Sequence, residues 1–278
     1  MRKEREVVMP TTTLKLLEDQ TALADYLDQR LTCVCEDRLE ALTSGAQLMQ
    51  ALVNLHHITA TFERCMVNLA HTIVVQPELV RGPGVPTHLG AGRSVEVYTL
   101  LATGSKSGRF EPIHTSVVRQ KLSGAFLSQA SLTMGFAKIP IEPSDASVKQ
   151  ARLIEQILSP GRPMTEAEFF QALGFCLAWT NFCSVMFGSL QKFLRKKSPA
   201  LVNDLEGKIV KTYYGDASAW WWIDSTIKMN GWKFAATAKA AILIFYYYGG
   251  NTDADILSYW LIEGIKNFDS FHEVCLSA

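Results

Sequence analysis

Between Phe169 and Leu190 the chain reads FFQALGFCLAWTNFCSVMFGSL and carries no charged residue. Thr165-Glu166-Ala167-Glu168 stands directly before it, with Thr165 as N-cap and Glu168 at N3 of a capping box. Lys192, Arg195, Lys196 and Lys197 follow, placed to complement the negative end of a helix. A helix apolar on every side has two fates: it is wrapped by other helices, or it spans a bilayer. The cationic flank imitates the positive-inside pattern of a membrane span. Gln171, Thr180, Asn181, Ser184 and Ser189 sit inside the run, and such groups are costly in hydrocarbon. The reading is therefore a central helix buried on all sides, with a membrane anchor over residues 169–190 as an alternative.

Helical periodicity covers much of the rest. Thr11, Thr12 and Thr13 offer caps for a helix through Leu14, Leu17, Leu23 and Leu27, and a second run covers Leu31 to Leu42. Leu48, Leu52, Leu55, Ile58, Phe62, Met66 and Leu69 keep spacings of three and four, so a long amphipathic helix runs from Ala46 towards Val75 with Arg64 near its middle. Residues 81–94 form a Gly/Pro loop. Further helices are expected at Ser147–Leu158, Leu201–Tyr213, after Ser218 until Gly231, and at Trp232–Tyr248. The last is followed by Gly249-Gly250 and an acidic helix with Ile256, Leu257, Trp260, Leu261 and Ile265.

One stretch breaks the helical pattern. Val95-Glu96-Val97-Tyr98 alternates like a strand, Thr103 to Gly108 reads as a turn, and Arg109 to Ile113 returns. From Thr115 the period is helical again, with Val118, Leu122, Phe126 and Leu127 on one face. A basic β-ribbon carrying Arg93, Lys106 and Arg109, feeding a helix with Arg119 and Lys121, is a grip suited to phosphates. The fold class is thus mainly α and two-lobed, with a small β-hairpin near residues 95–114 and arms at both ends. The boundaries are an N-terminal arm at 1–13, an N-lobe at 14–138, a C-lobe at 139–250 after the linker Ile139–Ser144, and a C-terminal arm helix at 251–278.

The chain is neutral overall, with 27 Lys+Arg and 27 Asp+Glu, which taken alone argues against a nucleic-acid binder. The average hides a pattern. Residues 81–138 hold 7 Lys/Arg against 2 Asp/Glu, and residues 188–248 hold 9 against 4, while the flanks are acidic. Two basic blocks suit an anionic polymer, and Tyr98, Phe110, Tyr213, Tyr214, Trp220 or Tyr247 are candidates to stack on its bases. Chance segregation of charge on solvated faces explains the same counts.

Catalytic signatures are missing: no G-x-S-x-G, H-E-x-x-H or P-loop occurs. Cys33-x-Cys35 has no zinc spacing, His56, His57 and His71 have only Glu63 and Cys65 near them and read as structural, and no cofactor is called for. The six cysteines read as buried thiols of a reducing compartment. A helical enzyme or ligand binder with a pocket lined by Tyr213, Trp220 and Trp222 is the other alternative.

The helical N-terminal half, the V-E-V ribbon with its glycine-rich turn, and the basic helix IHTSVVRQKLSGAFL resemble bunyavirus nucleoproteins of the orthobunyavirus and tospovirus type. KIVKTYYG and AKAAILIFYYYGG echo that family's Lys-rich helix and late C-terminal helix. The resemblance implies a nucleocapsid protein, not an enzyme, that coats viral single-stranded RNA in a basic cleft between two lobes. It implies Arg64, Arg93, Lys106, Arg109, Arg119 and Lys121 on one side of the cleft. Lys192, Arg195, Lys196, Lys197, Lys208 and Lys211 line the other. It further implies head-to-tail homo-oligomers through the arms, a viral polymerase as partner, no membrane, and residence in virion and host cytoplasm.

Overall fold

The protein, seen in a computed structural model, is described over residues 17–81, 87–103, 112–136, 142–213, 215–248 and 258–265. It is mainly helical with one small antiparallel hairpin. In chain order the helices are α1 (Gln20–Glu40), α2 (Gly45–Val75), α3 (Thr87–Thr103), α4 (Pro112–Thr133), α5 (Asp145–Leu158), α6 (Glu166–Lys197), α7 (Pro199–Gly207) and α8 (Trp221–Tyr247). A 3-10 turn at Pro77–Val80 follows α2, strands β1 (Ile209–Thr212) and β2 (Gly215–Ser218) precede α8, and residues 258–265 are helical.

Helix α6 is the uncharged run, and its capping box forms as its sequence dictates. The Glu168 N–H donates to Thr165 Oγ1 at 3.3 Å, and the Thr165 N–H donates to Glu168 Oε2 at 2.8 Å. Arg162 grips the same carboxylate with two N–H donors at 3.1 and 2.5 Å. Arg162 first, and the Thr165 backbone N–H next, hold the Glu168 carboxyl down at about 2 from its ordinary 4.5. A carboxyl depressed on folding stabilises above its unfolded value and loses that contribution as pH falls towards its folded one. Acid titration of wild type against Arg162→Gln should therefore show their stabilities converging between pH 4.5 and about 2. Constant separation across that window would refute the assignment.

The length and composition of α6 would allow it to cross a membrane, yet 83% of its most apolar window is buried inside the protein. Trp179 is its centre, stacked on Phe62 of α2 at 5.0 Å and flanked by Phe175 and Phe182. Helices α1, α5, α7 and α8 pack around it. Its cysteines, Cys176 and Cys183, are buried as thiols, as are Cys35 and Cys65. Burial pushes the Cys65 thiol up to about 11.

Several elements depart from the sequence expectations. The hairpin is not at 95–114. Val95 to Tyr98 lie inside α3, where Ser94, Val97, Leu100 and Leu101 are buried. Their spacing of three and four makes one helical stripe, and packing of that stripe on α2 and α8 overrides the strand preference of valine and tyrosine. The turn expected at 103–108 falls mostly outside the described residues. The helix expected to end at Tyr213 stops at Gly207, and the chain turns into β1 and β2 through Gly215, whose φ of +115° suits glycine. Gly231 does not break α8, and the two helices expected before Leu42 join as α1.

The expected boundary at 139–144 does not separate two cores. Residues 142–164 are fastened along α2: the Ser144 N–H donates to Asn54 Oδ1 at 2.8 Å, and the Gln76 side chain pairs with both backbone groups of Met164 at 2.8 and 2.9 Å. Buried residues from both sides of that boundary belong to one hydrophobic cluster. Of the expected arms, residues 1–13 lie outside the described residues. The helical part of the C-terminal one, 258–265, lies against α6 of the same chain with Leu261 and Ile265 buried.

Candidate nucleic-acid interface

The twelve cations assigned to RNA are placed very unequally. Arg119 is a correction: it is 4% exposed and its Nη2 pairs with Glu63 of α2, so it faces the interior and not an open groove. Helical periodicity decides this, because Arg119 lies one residue from Val118 and a turn from Leu122 on the buried side of α4. Arg93 is also structural. Its Nη1 donates to the carbonyls of Arg81 and Tyr247 at 3.0 and 3.3 Å, and its guanidinium lies 4.6 Å over the Tyr247 ring. It thereby ties α3 to the end of α8. Arg64 is exposed and paired with Glu155 at 2.5 Å. Lys121 is exposed on α4, and Lys106 and Arg109 lie outside the described residues.

The second group converges on one end of the molecule. The last turns of α6 carry Lys192, Arg195, Lys196 and Lys197, all exposed. Pro199 starts α7 at once, and its end returns into the hairpin through Lys208, whose carbonyl accepts from the Ala219 N–H at 2.8 Å. Lys196 and Lys197 share one carboxylate, Glu40, at 3.6 and 3.0 Å. Their cations, Lys197 foremost, hold that carboxyl below its ordinary range. Arg195 pairs with Glu206 at 3.0 Å and lies 4.9 Å over Trp220. Lys192, Lys208 and Lys211 are exposed, with no ion pair among the described residues.

The hairpin gives this end its shape. Val210 is buried, so alternation turns Ile209 and Lys211 outward, and Tyr213 continues the series at the turn. Ile209 is 58% exposed and Tyr213 84% exposed, with Trp221 45% exposed at the start of α8. Lys211 stands opposite Asp216 in the register. A ribbon with an aromatic tip is thus present, its one lysine facing one aspartate, but about a hundred residues downstream of where alternation in the sequence suggested it.

The chain matches no protein-family model, no curated protein and no solved structure.

Of the other candidate stacking aromatics, Trp220 is buried and Tyr247 donates to Glu96 at 2.8 Å. Phe110 and Tyr214 lie outside the described residues. Trp220 and Trp222 do not share a pocket with Tyr213: both pack on Phe126, and Trp222 also meets Phe187 at 5.3 Å and His56 at 6.3 Å. Burial lowers the pKa of His56, with His57 adding to the effect. Among the described residues no group of three His, Cys, Asp or Glu side chains is placed to hold a metal. Sequence reasoning named Lys208, Lys211 and Tyr213 individually and missed Ile209 and Trp221. The glycine at 215 after two tyrosines was the available signal of a turn.

Proposed function

We propose that this chain is a nucleoprotein of the bunyavirus type that coats single-stranded RNA, and that the RNA crosses the basic end formed by α6, α7 and the 209–218 hairpin. The observation carrying this reading is the hairpin itself. It turns Lys211 and the exposed Tyr213 ring outward just beyond the unpaired Lys208, a combination of charge and stacking surface suited to a flexible polyanion, and the exposed Lys192 lies on α6, the helix that leads into α7 and this hairpin. Lys121 is an outlying contact. Arg119 and Arg93 are withdrawn from the surface set, because each is engaged within the protein. In this reading the chain performs no catalysis, acts in host cytoplasm and virion, assembles head-to-tail through residues flanking the described core, and meets a viral polymerase on the assembled RNA.

Anisotropy of a fluorescent oligouridylate tests the interface on protein stripped by ribonuclease and high salt. The triple variant Lys192→Glu, Lys208→Glu, Lys211→Glu should bind at least tenfold more weakly, and its salt slope should fall by about 0.7 for each phosphate it no longer neutralises. Tyr213→Ala should weaken binding by about 1–3 kcal/mol if a base stacks there. Arg152→Gln, an exposed cation on α5, should bind as wild type does. Wild-type protein that ignores the oligonucleotide at low salt defeats the proposal.

A further inference from the structure

Helix α8 carries a line of side chains that the core does not use. Trp221 is 45% exposed, Trp232 46% and Tyr246 58%. Lys228 is exposed and Lys239 half-buried. These five positions are separated by 7, 4, 7 and 7 residues. At about 100° per residue they fall within about 40° of arc, a line one side chain wide and about 38 Å long. Ring and cation alternate along it: Trp, Lys, Trp, Lys, Tyr. The Lys228 ammonium lies 4.9 Å over the Trp232 ring, a cation–π contact between residues one helical turn apart. At the far end the Tyr246 hydroxyl donates to Glu18 at 2.7 Å. Of the six tryptophans in the chain, Trp179, Trp220 and Trp222 are buried and Trp260 is half-buried. The two exposed ones both stand on this line. A large ring left singly in water is ordinary, whereas rings aligned with cations along one helix mark a binding surface.

We propose that this face of α8 is a second stretch of nucleic-acid track. Bases of a single strand stack on Trp221 and Trp232, and Lys228 and Lys239 neutralise phosphates between them. The inference rests on the RNA reading above and extends it: β2 ends at Ser218 and α8 starts at Trp221, so the line begins where the hairpin ends. The chemistry of the line selects its occupant. Aromatic faces accept any base, and interleaved cations match a backbone with a phosphate at every nucleotide. A bilayer surface needs an apolar arc of about 100° or more, and one flank of this line holds Asp224, Gly231 and Ala235 instead. A partner helix packed along a heptad seam would bury Lys228 and Lys239 among apolar knobs and pay their desolvation.

The test uses the full chain stripped of RNA, an oligouridylate of about 16 nucleotides, and two readouts, anisotropy and tryptophan fluorescence. Trp221→Ala combined with Trp232→Ala should bind at least about fivefold more weakly than wild type, the lower end of one base stack. Trp221→Phe combined with Trp232→Phe keeps both rings. It should hold the wild-type affinity yet lose most of the fluorescence quenching that wild type shows on binding. Lys228→Glu combined with Lys239→Glu should lower the salt slope by about 0.7 for each phosphate no longer neutralised. Thermal unfolding checks that each variant is folded. The hairpin variant Lys192→Glu, Lys208→Glu, Lys211→Glu is run beside them. If it loses affinity while the alanine pair binds and quenches as wild type does, the α8 stretch falls and the hairpin interface stands. If the alanine pair loses affinity and the phenylalanine pair does not, the α8 stretch stands, whatever the hairpin variant does. Wild type that ignores the oligouridylate at low salt removes both. Vesicles of phosphatidylcholine and phosphatidylserine form a last arm. Vesicle binding that the alanine pair abolishes, with oligouridylate binding untouched, overturns the proposal in favour of a bilayer surface.

Discussion

Gly174→Ala destabilises the protein by about 3 kcal/mol or more, although alanine is normally the better helix former by about 1 kcal/mol. The sign reverses because of one close crossing. A Cβ on Gly174 of α6 would stand 1.9 Å from the Leu261 carbonyl oxygen, and a Cβ on Gly264 would stand 2.0 Å from the Gln171 carbonyl oxygen. Both neighbours are backbone, so neither swings aside. Segment 258–265 must lift off α6, which exposes Leu261 and Ile265. Each contributes roughly 1.5–3 kcal/mol when fully buried, so release of both approaches about 3–6 kcal/mol. Gly188, on the same helix, has nothing within 4 Å of its Cβ position, and Gly188→Ala should be neutral or stabilising. Denaturant unfolding ranks the three proteins, and hydrogen exchange reports whether 258–265 loses protection. A Gly174→Ala variant as stable as Gly188→Ala would show that the segment does not dock there.

The second large effect comes from Glu63. Glu63→Ala leaves the Arg119 guanidinium in the core with no counter-charge, and removing one partner of a buried pair costs about 3–5 kcal/mol. Arg119→Met should cost less, because Glu63 is 12% exposed and can turn towards water. Combining Arg119→Met with Glu63→Leu should recover most of the loss, since an apolar pair of similar bulk avoids desolvating either charge. Urea unfolding in phosphate-free buffer measures all three. Equal losses for the two single variants would mean that the pair is not buried as a unit.

Some of this architecture was written locally in the chain. Helix α6 needed no tertiary information for its limits: a capping box and a basic end specify start and finish, while its uncharged run suited burial or a bilayer and only packing decided for burial. The same holds for α2, whose apolar spacing and Ser44 cap define it, and for α5, capped by Ser144. Side-chain period and capping are short-range properties, and they survive in any context that supplies a core. The strand reading of Val95–Tyr98 failed because four residues of alternation are also compatible with about one turn of helix. What selects between them is which side chains find a buried partner, and Val97 does while Val95 is 64% exposed.

The candidate site divides along the same line. Sequence located the basic blocks, since Lys and Arg can be counted along a chain. It assigned Arg119 to the surface because charge is usually solvated, whereas its partner Glu63 is far away in sequence and is met only across packed helices. It also missed the ion pairs of this end, because Glu40 meets Lys197 only through the folding of α1 against α6, and Glu206 meets Arg195 only through the turn of the chain into α7. By itself, then, the sequence determined a helical protein around one uncharged helix and two cationic segments, since periodicity and composition are local. Only the tertiary structure decided which cations face solvent, which are paired at the surface and which are buried with a partner, because ion pairing and burial depend on residues distant in the chain.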